Sequence, residues 1–134
     1  MRLMGLCMRR DMDLVRDILI KTADAEGSIP IEAFVDEGRS MDLVAYHVEM
    51  MAAHDLIDAK VQREWGGHAV QGVITALTWD GQDYLDAIEN DTVWEKTKET
   101  VNGTVKHTTL SVIRDVAVAI AKSMIMAQTG LPLS

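Results

Sequence analysis

The feature that most constrains this chain is a change of period at Leu56. From Ile57 the spacing becomes two: Ile57, Ala59, Val61 and Arg63 alternate with Asp58, Lys60, Gln62 and Glu64, the pattern of a half-solvated strand. Gly66-Gly67 supplies a hairpin turn, and Val70 to Leu77 reads as the returning strand. Before the change the periods are helical. Over residues 9–25, Met12, Val15, Ile18, Leu19 and Thr22 follow a spacing of three and four, and Arg9, Arg10, Arg16, Asp17 and Lys21 lie off that stripe. Asp11 and Asp13 suit the positive end of the helix dipole, and Gly27 is placed to stop the helix. Ser28 to Ile31 is a short β-like piece that Pro30 confines to a sheet edge. After a turn at 36–40, Ser40 caps a helix from Met41 to about His54, with Leu43, Val44, His47, Val48 and Met51 expected inward.

Beyond the hairpin the chain returns to helix. Thr78 caps a helix over 79–89 despite Gly81, Asn90-Asp91 breaks and restarts it, and 92–101 forms another ending near Asn102-Gly103. Residues 108–127 form a last helix that is apolar on most sides, interrupted by Arg114, Asp115 and Lys122 and too short of an uninterrupted apolar run to span a membrane. Such a helix is either the central core helix or meets a second subunit, in which case Ile113, Val116, Ile120 and Met124 are the candidate homo-oligomer interface. The order helix, short strand, helix, hairpin, helix is that of a winged helix-turn-helix. The expected fold is therefore mainly α with a small β-hairpin, an α+β winged-helix-like domain over 8–90 with C-terminal helices 91–134 packed on it in the same domain. Residues 27–40 leave room for at most one turn of the usual extra helix.

Composition narrows the class. A chain of 134 residues with 48% hydrophobic and 25% charged residues can bury one core. Nine Met residues read as an adaptable aliphatic core. The formal charge of −8 gives non-specific nucleic-acid binding no electrostatic footprint. A single cysteine, Cys7, forms no internal disulfide and suits a reducing cytoplasm, the expected location. Met8 begins MRRDMDLV, which reads like a start, so residues 1–7 are expected to be an extension of little structural role.

Three stretches, RRDMDLVRDIL (9–19), YHVEMMAAHDLI (46–57) and ALTWDGQDYLDAIENDTVWEKTKE (76–99), together resemble the domain-of-unknown-function 2513 family of bacteria, phages and prophages. The resemblance covers residues 8 to about 128, and the third stretch is the specific one. The second also resembles the end of the recognition helix in many winged-helix regulators, with His54-Asp55 where those often place Ala-Gly. The resemblance implies a winged-helix-like fold and a mobile-element setting. It implies no activity and carries over no functional residues.

Candidate chemistry is sparse. His47 and His54 stand seven apart on one helix, too far for two ligands of one zinc, and His68 and His107 are unrelated to them by spacing. His47 reads as partly buried and His54 as a surface residue. Asp80, Asp83 and Asp86 recur every third residue and read as a solvated acidic face. With no nucleophile elbow, phosphate-cradling loop or zinc signature, the expectation is a non-enzyme without cofactor or metal. Trp79 and Trp94 are expected in packing, whereas Trp65, at a hairpin tip, is the best contact anchor.

Two binding readings stay open. A winged helix suggests a DNA-binding regulator, with Arg39, Lys60 and Arg63 as its cations. Between Asp36 and His68, however, those three face seven acidic residues, a net of −4, and the outward helix positions Asp42, Ala45, Tyr46 and Glu49 offer few donors to bases or phosphates. The favoured reading is a protein-interaction module using Trp65, His68, Tyr46, Glu49 and Asp42, in a phage setting an antagonist or regulator of a host nucleic-acid-handling system.

Overall fold

The structure, a computed structural model, describes residues 10–104 and 109–129. The expected extension 1–7, Cys7 and His107 lie outside them. Among the described residues there are five α-helices, one 3-10 turn and a three-stranded antiparallel sheet, an α+β architecture. The chain divides into two compact units, the first reaching Gln82 and the second beginning at Asp83, with one helix running through the boundary.

In the first unit, helix α1 (Met12–Asp24) starts with the first residue of its apolar stripe and three residues later than the expected span of 9–25. Asp11 serves as its cap instead of joining it: the carboxylate accepts the Leu14 N–H at 3.1 Å, satisfying one of the donors that every helix start leaves open. Its buried side is Leu14, Val15, Ile18, Leu19 and Thr22, and Met12, expected inward, is half-exposed at the first turn. The helix stops at Asp24 because Ala25 turns extended (φ −79°, ψ 144°), so Gly27 is not its terminator. Strand β1 (Ile29–Pro30) then pairs Ile29 with Ile74 at the sheet edge, where the missing Pro30 N–H costs nothing. One 3-10 turn (Ile31–Phe34) follows and buries Ile31 and Phe34.

Ser40 caps α2 (Met41–Ala53), accepting the Leu43 N–H at 3.1 Å. The buried stripe of α2 is Val44, Ala45, His47, Val48 and Met51. Ala45 is therefore core, not outward, and Leu43 at the first turn is half-exposed. The chain leaves α2 through Asp55, whose φ of +60° lies in the left-handed region that Asp tolerates better than most residues. Strands β2 (Ile57–Arg63) and β3 (Ala69–Leu77) form the hairpin, with Lys60 opposite Val73 and Gln62 opposite Gln71. Helix α1 packs on β3 and α2, and α2 packs on β2 and β3, so the core lies between the two helices and one sheet face. Gly72 packs closely there: a Cβ would stand 2.9 Å from Ile31 Cδ1 and 3.0 Å from the Lys60 carbonyl oxygen, so its neighbours would have to shift.

Helix α3 (Trp79–Ile88) is capped by Thr78, whose hydroxyl accepts the Gly81 N–H at 2.9 Å and donates to the Asp55 carbonyl. In the second unit, Asn90 caps α4 (Asp91–Thr104) by accepting the Val93 N–H at 3.0 Å, and the helix continues past Asn102-Gly103. Helix α5 (Leu110–Thr129) packs against α4. Leu85, Ile88, Val93, Trp94, Ile113 and Ala117 are buried, and the Tyr84 hydroxyl donates to the Leu110 carbonyl at 2.7 Å. Among the described residues no helix is long and apolar enough to cross a membrane.

Candidate functional site

The chemistry-bearing residues of the first unit gather where α2 faces the hairpin. Asp42, in the first turn of α2, reaches the start of β3: one carboxylate oxygen accepts the Ala69 N–H and the other accepts His68 Nδ1–H, both at 2.8 Å. The Ala69 amide, and after it His68, holds the Asp42 carboxyl below its ordinary pKa. In turn, the hydrogen bond and charge of Asp42 raise the pKa of His68. Two turns along α2, Glu49 pairs with the guanidinium of Arg63 on β2, and Arg63 also donates to the Gly67 carbonyl at 2.6 Å. The hairpin is thus clasped to α2 at two points. Between them Tyr46 lies half-buried, its ring edge-on to His47 with centroids 5.6 Å apart.

The clasp also ties down the hairpin tip. Glu64 N–H donates to the His68 carbonyl, Gly67 N–H donates to the Glu64 carbonyl, and Gly67 holds φ +86°. This is the three-residue loop in which a left-handed glycine closes the turn. Trp65 stands fully exposed on it. The exposed imidazolium of His68 contributes stability that is present below the ordinary histidine pKa and lost as pH rises through its raised value. Asp42→Asn should bring the His68 midpoint back toward about 6.5, read by NMR titration of its ring signals. An unmoved midpoint would dissociate the pair.

The candidate cations are placed differently. Arg39 turns to α1, donating to Asp17 at 2.9 Å with its Nε 3.7 Å from Asp11, and its side chain is 20% exposed. Arg63 is engaged by Glu49. Lys60 is exposed on β2, and strand alternation sets it on the sheet face opposite the buried Ile57. The structure therefore gathers Asp42, Tyr46, Glu49, Arg63, His68 and Trp65 around one helix and hairpin, and it does not gather the three cations. Sequence reasoning missed the mutual pairing inside that group. Its signal was opposite charges on elements expected to neighbour, 14 and 26 residues apart.

Other expectations resolve singly. Trp94 is 2% exposed, as packing requires, whereas Trp79 is 88% exposed and not part of a core. It occupies the first residue of α3, where no preceding turn covers a side chain that leans toward the helix start. Asp80, Asp83 and Asp86 are exposed, and His54 is exposed with Nδ1 against the Met50 carbonyl. His47 is 2% exposed and fully partnered: Nε2 accepts the Asp11 N–H at 2.7 Å, so Nδ1 carries the proton donated to the Leu43 carbonyl at 2.8 Å. Among the described residues no group of three His, Cys, Asp or Glu side chains could hold a metal ion. On α5, Ile113 is buried in its own chain and cannot serve an oligomer interface, and Val116, Ile120 and Met124 are half-buried.

Comparison with known proteins places these observations. The chain is similar to a protein of Haemophilus influenzae described as uncharacterised, 32% identical over 121 residues that cover 88% of this chain and 99% of that one. No solved structure gives a significant match. The family model described as "Hypothetical protein (DUF2513)" matches residues 9–107, which include every residue of the clasp. With that match and the Haemophilus relative, the chain belongs to the DUF2513 family.

Proposed function

We propose that this chain is a non-enzymatic protein-binding module of winged-helix type, with α2 in the place of a recognition helix and the β2–β3 hairpin as the wing. One observation carries the choice of a protein over DNA. Two of the three candidate cations, Arg39 beside α1 and Arg63 on β2, are held by the chain's own carboxylates, while Trp65 stands bare at the wing tip. Phosphate binding draws its affinity from cations that exchange counterions for phosphates, and a guanidinium already committed to Glu49 or Asp17 has less to give. A fully exposed Trp flanked by polar residues has the composition of an interface anchor. In the mobile-element setting that the resemblance implies, the partner is a host nucleic-acid-handling protein whose basic surface meets exposed carboxylates of this unit, Asp36, Glu37, Asp58 and Glu64 being the candidates.

The test uses the intact chain. With the photo-crosslinking residue benzoylphenylalanine in place of Trp65, illumination in host cells should yield one discrete protein adduct. Trp65→Ala should then weaken binding to that purified partner about thirtyfold, as expected of an interface hot spot. The complex should also loosen as salt rises. A DNA reader is the second reading, favoured by the order of elements. Selective retention of one DNA sequence by the purified chain, abolished by Lys60→Ala, would establish it and sink the first.

A further inference from the structure

The outer face of α5 has a symmetry that the expected interface did not use. Ile113 and Ala117 point the helix inward, and at 100° per residue the opposite side runs through Val112, Asp115, Ala119, Lys122 and Met126. All five are exposed, Val112 at 36% and Met126 at 43%. Read from Ala119 outward, the stripe is nearly its own reverse. Val112 and Met126 each lie seven residues from Ala119, and Asp115 and Lys122, four before and three after, carry opposite charges.

From this pattern we infer that α5 pairs antiparallel with the α5 of a second copy of the chain, about a two-fold axis at Ala119. Antiparallel helices set residues equally far before and after the axis side by side. Val112 then meets the Met126 of the other copy, and Asp115 falls within one residue, about 1.5 Å along the axis, of its Lys122. Two-fold symmetry makes each contact twice. A small residue at the crossing lets helix axes approach to about 8 Å, and Ala119 is the small residue. Charge fixes the direction. A parallel pair would set Asp115 against Asp115 and Lys122 against Lys122, a like-charge arrangement that the antiparallel pair turns into two attractions. The chain's formal charge of −8 opposes association of copies, and the charged pair on this stripe adds nothing to it. The inference stands apart from the binding surface on α2 and the hairpin.

The experiment is sedimentation equilibrium of the full chain, with circular dichroism to confirm that each variant is folded. The wild type should be a reversible dimer. Asp115→Lys and Lys122→Asp should each raise its dissociation constant about tenfold or more, because each replaces two attractions by two repulsions. The double exchange D115K/K122D should restore the wild-type constant. A wild type that stays monomeric, single exchanges without effect, or a double exchange that fails to recover would each overturn the pairing. An independent reading comes from Ala119→Cys in a Cys7→Ser background. A thiol on the axis should link two copies on oxidation, whereas Ser111→Cys in the same background should not. No link at position 119 would also overturn it.

Discussion

Gly81→Ala is expected to destabilise the chain by about 3 kcal/mol or more, although alanine is the better helix former by about 1 kcal/mol. The cause is an approach of backbone to backbone. A Cβ on Gly81 would lie 1.8 Å from the Leu56 carbonyl oxygen and 2.8 Å from its carbon, and neither is a side chain that could turn away. Leu56 cannot retreat without loss, because its carbonyl accepts the Thr78 N–H at 3.1 Å and its own N–H donates to the Met51 carbonyl at 3.0 Å. Thr78 joins the same junction to Asp55 and Gly81. Alanine must therefore pull the first turn of α3 off the strand start or break the cap. Thermal unfolding followed by circular dichroism should show the midpoint falling by about 10 °C or more. Gly27→Ala, with nothing within 4 Å of the added carbon, should leave it within a degree or two, separating the clash from loss of glycine as such. A neutral or stabilising Gly81→Ala would mean that α3 does not sit against Leu56.

Acid should weaken the fold through His47. Burial, ahead of its neighbours' charges, lowers the pKa of this imidazole. Geometry agrees, since a proton on Nε2 would face the Asp11 N–H that now donates to it. The unfolded chain, with an ordinary midpoint near 6.5, takes up that proton first as pH falls. His47 therefore contributes stability that is complete above that range and lost as pH falls toward the lowered folded value. Urea unfolding of the wild type from pH 7.5 to 5, compared with His47→Gln, should show the difference between them shrinking toward acid, since glutamine can accept from Asp11 and donate to Leu43 without titrating. His68 acts with the opposite sign in both proteins and cancels in the comparison. His47→Ala, which orphans the Asp11 N–H, should cost about 2–3 kcal/mol at neutral pH. A wild-type minus His47→Gln difference that does not change with pH would show that the ring is not neutral in the fold.

Periodicity made the skeleton legible. The change of spacing at Ile57 located the hairpin, Ser40, Thr78 and Asn90 announced helix starts, and Pro30 put its strand at the edge. The errors lie where distant packing decides. Ala45 reads as a bland outward position but is fully buried, whereas the larger Leu43 is half-exposed in the first turn. Trp79 reads as core by its size, yet the first position of a helix gives it nothing to lie against. At the candidate site, residue types and net charge were legible one by one. Who pairs with whom was not, because Arg39 chooses carboxylates 22 and 28 positions upstream, on an element that pattern alone does not orient. On α5 the spacing announced an apolar helix but could not give its rotation, so Ile113 was assigned to the wrong side.

The bracing of the hairpin tip has a kinetic consequence. With Gly67 held by Arg63 and His68 held by Asp42, the loop that carries Trp65 is fastened on both flanks before any encounter. If the indole is the anchor proposed above, a protein that seizes it would freeze two side-chain torsions and leave the backbone as it was. Docking of that kind would require no rearrangement of the loop, so competing partners of similar charge would arrive at similar rates and be sorted by how long each stays.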